Sequence, residues 1–139
     1  MGSKIFIDTS AWIAAYIPTE KQHQRVGSLL KQAVRSGTAL YTSNYIVDET
    51  ITRFLYDTDW PLTKRFLQYF QKSVSQRTLV ELWVDEQCEA EAFVYLEKYH
   101  EHRLSLTDAT SVVLMKQYAI DVILTLDSDF TKIGLRVLP

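Results

Sequence analysis

At 139 residues, 47% of them apolar and 23% charged, the sequence suits one domain of ordinary size and carries too much hydrophobic material to stay disordered. A formal net charge of −2 counts against a passive duplex binder, which presents a basic face, and leaves room for an enzyme whose cations neutralise phosphate locally. No apolar run approaches the roughly 18 residues that cross a bilayer, and the opening residues Met1 to Asp8 lack a signal peptide's apolar stretch, so no membrane association and a cytosolic location are expected.

Lys4-Ile5-Phe6-Ile7 reads as a short strand ending at Asp8, with Thr9 or Ser10 available to cap a helix from Ala11 to Ile17 that Pro18 stops. From Gln22 to Arg35, Val26, Leu29, Leu30, Ala33 and Val34 keep the helical period, and Gly37 ends the run. Ala39-Leu40-Tyr41 is a second strand, and Ser43 or Asn44 caps a helix to about Tyr56. Asp59, followed by Trp60-Pro61, opens a helix to about Ser73. Thr78 to Val84 is a third strand, and Asp85 begins a helix through Tyr99 that carries Cys88. That lone cysteine excludes an internal disulfide framework or a Cys-based zinc site and reads as a small buried side chain. Ser105 or Thr107 starts a helix to about Tyr118, Val122 to Leu126 is a fourth strand, Asp127 to Lys132 a turn or single coil, and Leu135 to Leu138 a fifth strand.

Five short apolar strands separated by helices predict an α/β fold with a parallel sheet covered on both faces, in one domain over residues 1–139. In such sheets ligands bind at the carboxyl ends of the strands. Asp8 falls at one such end and Asp127 at another; Asp108 stands in the first turn of a helix entering from the same edge, and Glu49 lies on the helix after the second strand. Each has a competing structural role. Asp8 is a good helix cap, Ser105 with Asp108 has capping-box spacing, Asp127 and Asp129 suit an Asx-type turn, and Glu49 is placed for an ion pair with Arg53. Pattern alone does not separate Glu49 from Asp48; Asp127, closer to the strand end, is preferred to Asp129, which stands as a supporting or alternate ligand.

The segments Ile5-Phe6-Ile7-Asp8-Thr9-Ser10-Ala11-Trp12, Thr42-Ser43 through Glu49, Leu104-Ser105-Leu106-Thr107-Asp108-Ala109 and Leu124-Thr125-Leu126-Asp127-Ser128-Asp129-Phe130 together resemble the PIN-domain family, in particular its VapC-type toxin ribonucleases. The resemblance implies a three-layer α/β/α fold around a five-stranded parallel sheet. It matches Asp8, Glu49, Asp108 and Asp127 to the family's acidic quartet, with Ser10, Thr125 and Asp129 as supporting residues. It also implies Mg²⁺ or Mn²⁺ dependence, cleavage of RNA, homodimers and inhibition by a cognate antitoxin. On that reading one or two ions relieve the mutual repulsion of the acids, with Asp8, Asp108 and Asp127 as ligands and Glu49 near a second ion or the attacking water. Arg53, Lys64, Arg65 and Lys72 offer a path for RNA, and Tyr45, Tyr56 and Tyr69 offer aromatic faces, although solvated charge and helix packing explain these residues as well. Trp12, Ile13 and Tyr16 suggest either core or a partner groove.

Rival readings fare worse on the residues. A dehalogenase-like phosphatase needs an acid two residues after Asp8, where Ser10 stands, and a receiver domain needs an acid at the end of the strand near Tyr41. Neither a Gly-x-Ser-x-Gly elbow nor a glycine-rich phosphate loop is present. An RNA-processing nuclease outside any toxin–antitoxin pair, or an inactive RNA-binding module, shares the same residues and is separated only by experiment.

Overall fold

The computed structural model describes residues 3–139; Met1 and Gly2 lie outside the described residues. Five strands form one sheet: β1 (Lys4–Ile7), β2 (Ala39–Ser43), β3 (Leu79–Leu82), β4 (Val122–Leu124) and β5 (Arg136–Leu138). Their order is β3-β2-β1-β4-β5 and every pairing is parallel. Successive strand side chains point to opposite faces, and Phe6 and Ile7 are both fully buried, so helices cover both sides of the central strand. The helices are α1 (Thr9–Tyr16), α2 (His23–Arg35), α3 (Asn44–Asp57), α4 (Trp60–Ser75), α5 (Glu86–Lys98), α6 (Leu106–Gln117) and α7 (Asp129–Lys132), with a 3-10 turn over His100–His102. None is long and apolar enough to cross a membrane.

Local chemistry sets most of the helix ends. The Ser43 hydroxyl accepts from the Ile46 N–H, the Asp59 carboxylate from Leu62 and the Asp85 carboxylate from Cys88, each relieving one of the orphan donors of a first turn. At the end of α2, Gly37 adopts φ 71°, and the N–H groups of Gly37 and Thr38 return to the carbonyls of Val34 and Ala33. That Schellman closure needs the left-handed conformation glycine allows.

The apolar faces of α1, α3 and α4 meet in an aromatic cluster. The Phe66 ring centre lies 5.5 Å from those of Trp12 and Tyr16 and 5.4 Å from that of Phe54, all edge to face. Trp12, Phe54 and Phe66 are fully buried. Such contacts exceed area burial alone by about 0.5–1.5 kcal/mol per pair. The cluster fixes α1, and with it the strand end that carries Asp8.

Among the expected boundaries that move, three do so for a plain physical reason. Thr9 and Ser10 lie inside the first turn of α1 and do not cap it; the Asp8 carbonyl takes the first N–H groups, from Ala11 and Trp12. β3 stops at Leu82 because the Val84 N–H turns to the Asn44 side chain at 2.7 Å. β4 stops at Leu124, because the Leu126 N–H leaves the ladder for the Ser10 hydroxyl at 2.9 Å and the Asp127 N–H for that of Thr125 at 3.0 Å.

Candidate active site

From β1 the chain order runs through β2 to β3 on one side, and β4 and β5 lie on the other. The reversal between β1 and β4 is the switch point at which α/β sheets open a crevice beyond their carboxyl ends. Asp8 follows β1 and Asp127 follows β4, so the two acids flank that crevice.

Asp8 is 4% exposed and stands at the cap position of α1 without spending its carboxylate on the helix. Instead, Asp8 Oδ2 accepts from Thr125 Oγ1 at 2.7 Å and from Ser10 Oγ at 3.1 Å. Both hydroxyls accept in turn from backbone N–H groups of the segment after β4, Thr125 from Asp127 and Ser10 from Leu126. Two peptide dipoles are thereby relayed onto one carboxylate oxygen. Burial raises the Asp8 pKa, hydrogen bonds from Thr125, the Thr9 backbone and Ser10 oppose the rise, and the charge of Glu49 adds to it.

Asp108 closes the expected capping box: its backbone N–H donates to the Ser105 hydroxyl at 3.0 Å, and its Oδ2 accepts from the Ser105 N–H at 3.1 Å. The box does not exhaust it. Burial first, then the charges of Asp8 and Asp127, push its pKa up to about 6 against the lowering effect of Ser105. Asp127 makes the expected Asx turn, with Oδ1 accepting from the Asp129 N–H at 2.9 Å. Asp129 pairs with Lys132 at 3.2 Å. Of these two acids, Asp127 is the one whose charge reaches Asp108.

The expected ion pair between Glu49 and Arg53 does not form. Arg53 Nε reaches forward to Asp57 Oδ2 at 3.2 Å, one turn beyond, and Glu49 is left half-buried with its charge felt at Asp8. Asp48 is exposed. Tyr45, Asp48, Glu49, Thr52 and Arg53 of α3 and Thr107 of α6 line an open recess of about 390 Å³ beside the carboxylates. Arg65 lies elsewhere, on a groove of about 780 Å³ between α1, α2 and α4 that Trp12, Tyr16, Leu30 and Tyr69 also line. Lys64 is exposed on α4 and makes no ion pair among the described residues. Cys88 is buried against α6, and burial raises its thiol to about 11, the state of an inert core residue.

As the side chains stand, no group of three His, Cys, Asp or Glu among the described residues is drawn close enough to grip a metal ion. Asp108 and Asp127 are each held back by a bond within their own turn. The donor set nonetheless fits a hard divalent cation: carboxylate oxygens from separate elements, mutually repelling, with Asp8 buried and steered by two hydroxyls.

A family model for the PIN domain matches residues 5–135. The chain belongs to the PIN domain family. PIN domains are generally nucleases, and this PIN chain is similar in structure to VapC20 of Mycobacterium tuberculosis, described as a sarcin–ricin loop cleaving toxin, at 24% identity over 94% of this chain and 95% of that one, with a TM-score of 0.78. It is also similar to FitAcB of Neisseria gonorrhoeae at 18% identity, covering 97% of this chain and 96% of that one, with a TM-score of 0.67. A chain of FitAB bound to the IR36 DNA fragment aligns at 20% identity over 96% of this chain and 93% of that one, with a TM-score of 0.72. No curated protein matches the chain in sequence. These likenesses bear out the PIN fold expected from the four acidic segments.

The residues that sequence reasoning left out are Thr52 and Thr107 of the recess and Glu89, whose carboxylate accepts from the Tyr45 hydroxyl at 3.1 Å. The partner of Glu89 stands 44 positions away in the chain, and no local pattern marks it.

Proposed function

We propose that this PIN-family chain is a metal-dependent endoribonuclease, using Mg²⁺ or Mn²⁺ to hydrolyse phosphodiester bonds of single-stranded or structured RNA, and that it is the toxin of a VapBC-type pair. The observation that carries the reading is the buried Asp8 carboxylate, held by Thr125 and Ser10 at the switch point, with the charge of Glu49 felt at Asp8 and those of Asp8 and Asp127 felt at Asp108. Asp8, Asp108 and Asp127 would hold one or two ions. Bound there, a divalent cation supplies a water of lowered pKa and neutralises charge on the phosphate. Ser10 and Thr125 orient Asp8. Glu49, half-buried on α3, would bind a second ion or orient the attacking water. Asp129 steadies the turn that presents Asp127.

The toxin reading draws support from the likeness to VapC20 and FitAB, and from the groove between α1, α2 and α4. Its floor holds Trp12, Ala15 and Leu30 and its sides carry Lys31, Arg35 and Arg65, which suits an antitoxin segment with apolar and acidic side chains. A homodimer would cover the exposed apolar side chains of Trp83, Phe93 and Val94. Light scattering that finds only monomer across micromolar concentrations would rule that assembly out.

The deciding experiment incubates labelled single-stranded RNA with the protein in Mg²⁺, Mn²⁺ or EDTA. Cleavage should need the metal and disappear in Asp8→Asn and Asp108→Asn proteins shown by circular dichroism to be folded. Full activity in both variants would sink the assignment. Toxicity on expression, relieved by the product of an adjacent gene, would separate the toxin from an RNA-processing nuclease.

A further inference from the structure

The recess next to Glu49 has a use that the carboxylates do not explain. At about 390 Å³ it is within the size range of small-ligand sites, and one wall is a single face of α3. Tyr45, Glu49, Thr52 and Tyr56 fall within a narrow sector of that helix, and Arg53 flanks it, by the helical repeat of 3.6 residues per turn. Tyr56 lies two turns beyond Glu49, about 10 Å along the axis. It is 84% exposed, so core packing does not account for it. Tyr45 is tied down by its bond to Glu89, which fixes the near end of the recess.

Arg53 supplies the charge. Among the described residues its guanidinium donates only through Nε, to Asp57, and both partners are about half exposed, at 51% and 55%. Exposed pairs of this kind contribute little, so a phosphate can displace Asp57 and take the planar fork in two-pronged fashion. Asp48 on the same wall repels phosphate and confines it to the Arg53 side.

We propose that this recess and the Tyr56 ring beyond it form a subsite for the unpaired RNA strand next to the scissile phosphate, with Arg53 gripping a backbone phosphate and Tyr56 stacking a base. The subsite rests on the ribonuclease reading above and adds where the flanking strand runs. Stacking on an aromatic ring accepts any base, so the subsite selects for an unpaired strand and not for a sequence.

The test is steady-state cleavage of an unstructured, fluorophore-labelled RNA in Mn²⁺ by the wild-type chain and by Tyr56→Ala, Arg53→Gln and Tyr118→Ala. Tyr118 is 41% exposed at the opposite edge of the sheet, where its carbonyl accepts from Lys4, and serves as the control. Tyr56→Ala and Arg53→Gln should each raise KM about tenfold with little change in kcat, while Tyr118→Ala matches wild type. If the wild-type chain cuts the RNA and either variant keeps KM within about twofold, the subsite is wrong and the nuclease stands. If the wild-type chain cuts no RNA in Mn²⁺, the nuclease reading itself is wrong and the subsite goes with it.

Discussion

Replacing Thr125 with valine removes one hydroxyl and almost no volume, which makes it a clean probe of the Asp8 network. Thr125 is 2% exposed, and its Oγ1 donates to Asp8 at 2.7 Å, accepts from the Asp127 N–H at 3.0 Å and lies 3.1 Å from Ser10 Oγ. A hydrogen bond to a charged group contributes about 1.5–3 kcal/mol, and the half-buried Asp127 N–H regains part of its loss from water, so Thr125→Val should cost about 2 kcal/mol. With an unfolding entropy of roughly 2.1 cal/mol/K per residue over 139 residues, that lowers Tm by about 7 °C. Thr125→Ser keeps the hydroxyl and loses a methyl, a cost of about 1 kcal/mol. Thermal melts should therefore rank wild type, then serine, then valine. Calorimetric titration with Mn²⁺ should show affinity reduced about 10–100-fold in valine and near wild type in serine. A valine variant that melts above the serine one and binds Mn²⁺ normally would show that the hydroxyl relay steadies nothing.

Adding Mn²⁺ to about one hundred times its Kd should stabilise the protein by about 2.7 kcal/mol, and Asp8→Asn should abolish the gain; equal gains in both proteins would place the ion elsewhere. In EDTA, the raised Asp108 pKa of about 6 means the folded chain binds the proton more tightly than the unfolded one. Stability should therefore fall as pH rises from about 4 to about 6 and stay lower above that range, by about 1–3 kcal/mol after allowing for partial solvent screening. Asp108→Asn should flatten that part of the profile, and melts of the two proteins with identical pH slopes would contradict the assigned cause. Phe66→Ala removes the hub of the aromatic cluster and should cost about 3–5 kcal/mol in urea unfolding, with a loss below about 1 kcal/mol showing that the cluster closes over the gap.

Much of the fold was legible because its signals are local. Asp59, Asp85, Ser105 and Gly37 act within one turn of chain, and the five apolar runs needed only one sheet to bury them. The capping box at Asp108 and the Asx turn at Asp127 were readable for the same reason. What escaped depends on residues far apart. Thr9 and Ser10 look like caps until β4 arrives beside β1 and sets the Leu126 N–H and the Thr125 hydroxyl against Ser10, which also donates to Asp8. Glu49 and Arg53 have ion-pair spacing, yet Arg53 turns to Asp57. The early end of β4 has the same origin, since its last N–H groups leave the ladder for hydroxyls of the site.

The bond from Thr125 to Asp8 spans 117 positions of the chain. A ribosome adding roughly 5–20 amino acids per second takes about 6–25 seconds to cover that span, and the bond cannot close earlier. Until then Asp8 sits on an unfinished sheet without the Thr125 hydroxyl. The ribonuclease proposed above would therefore stay silent while its chain is still growing past Asp8.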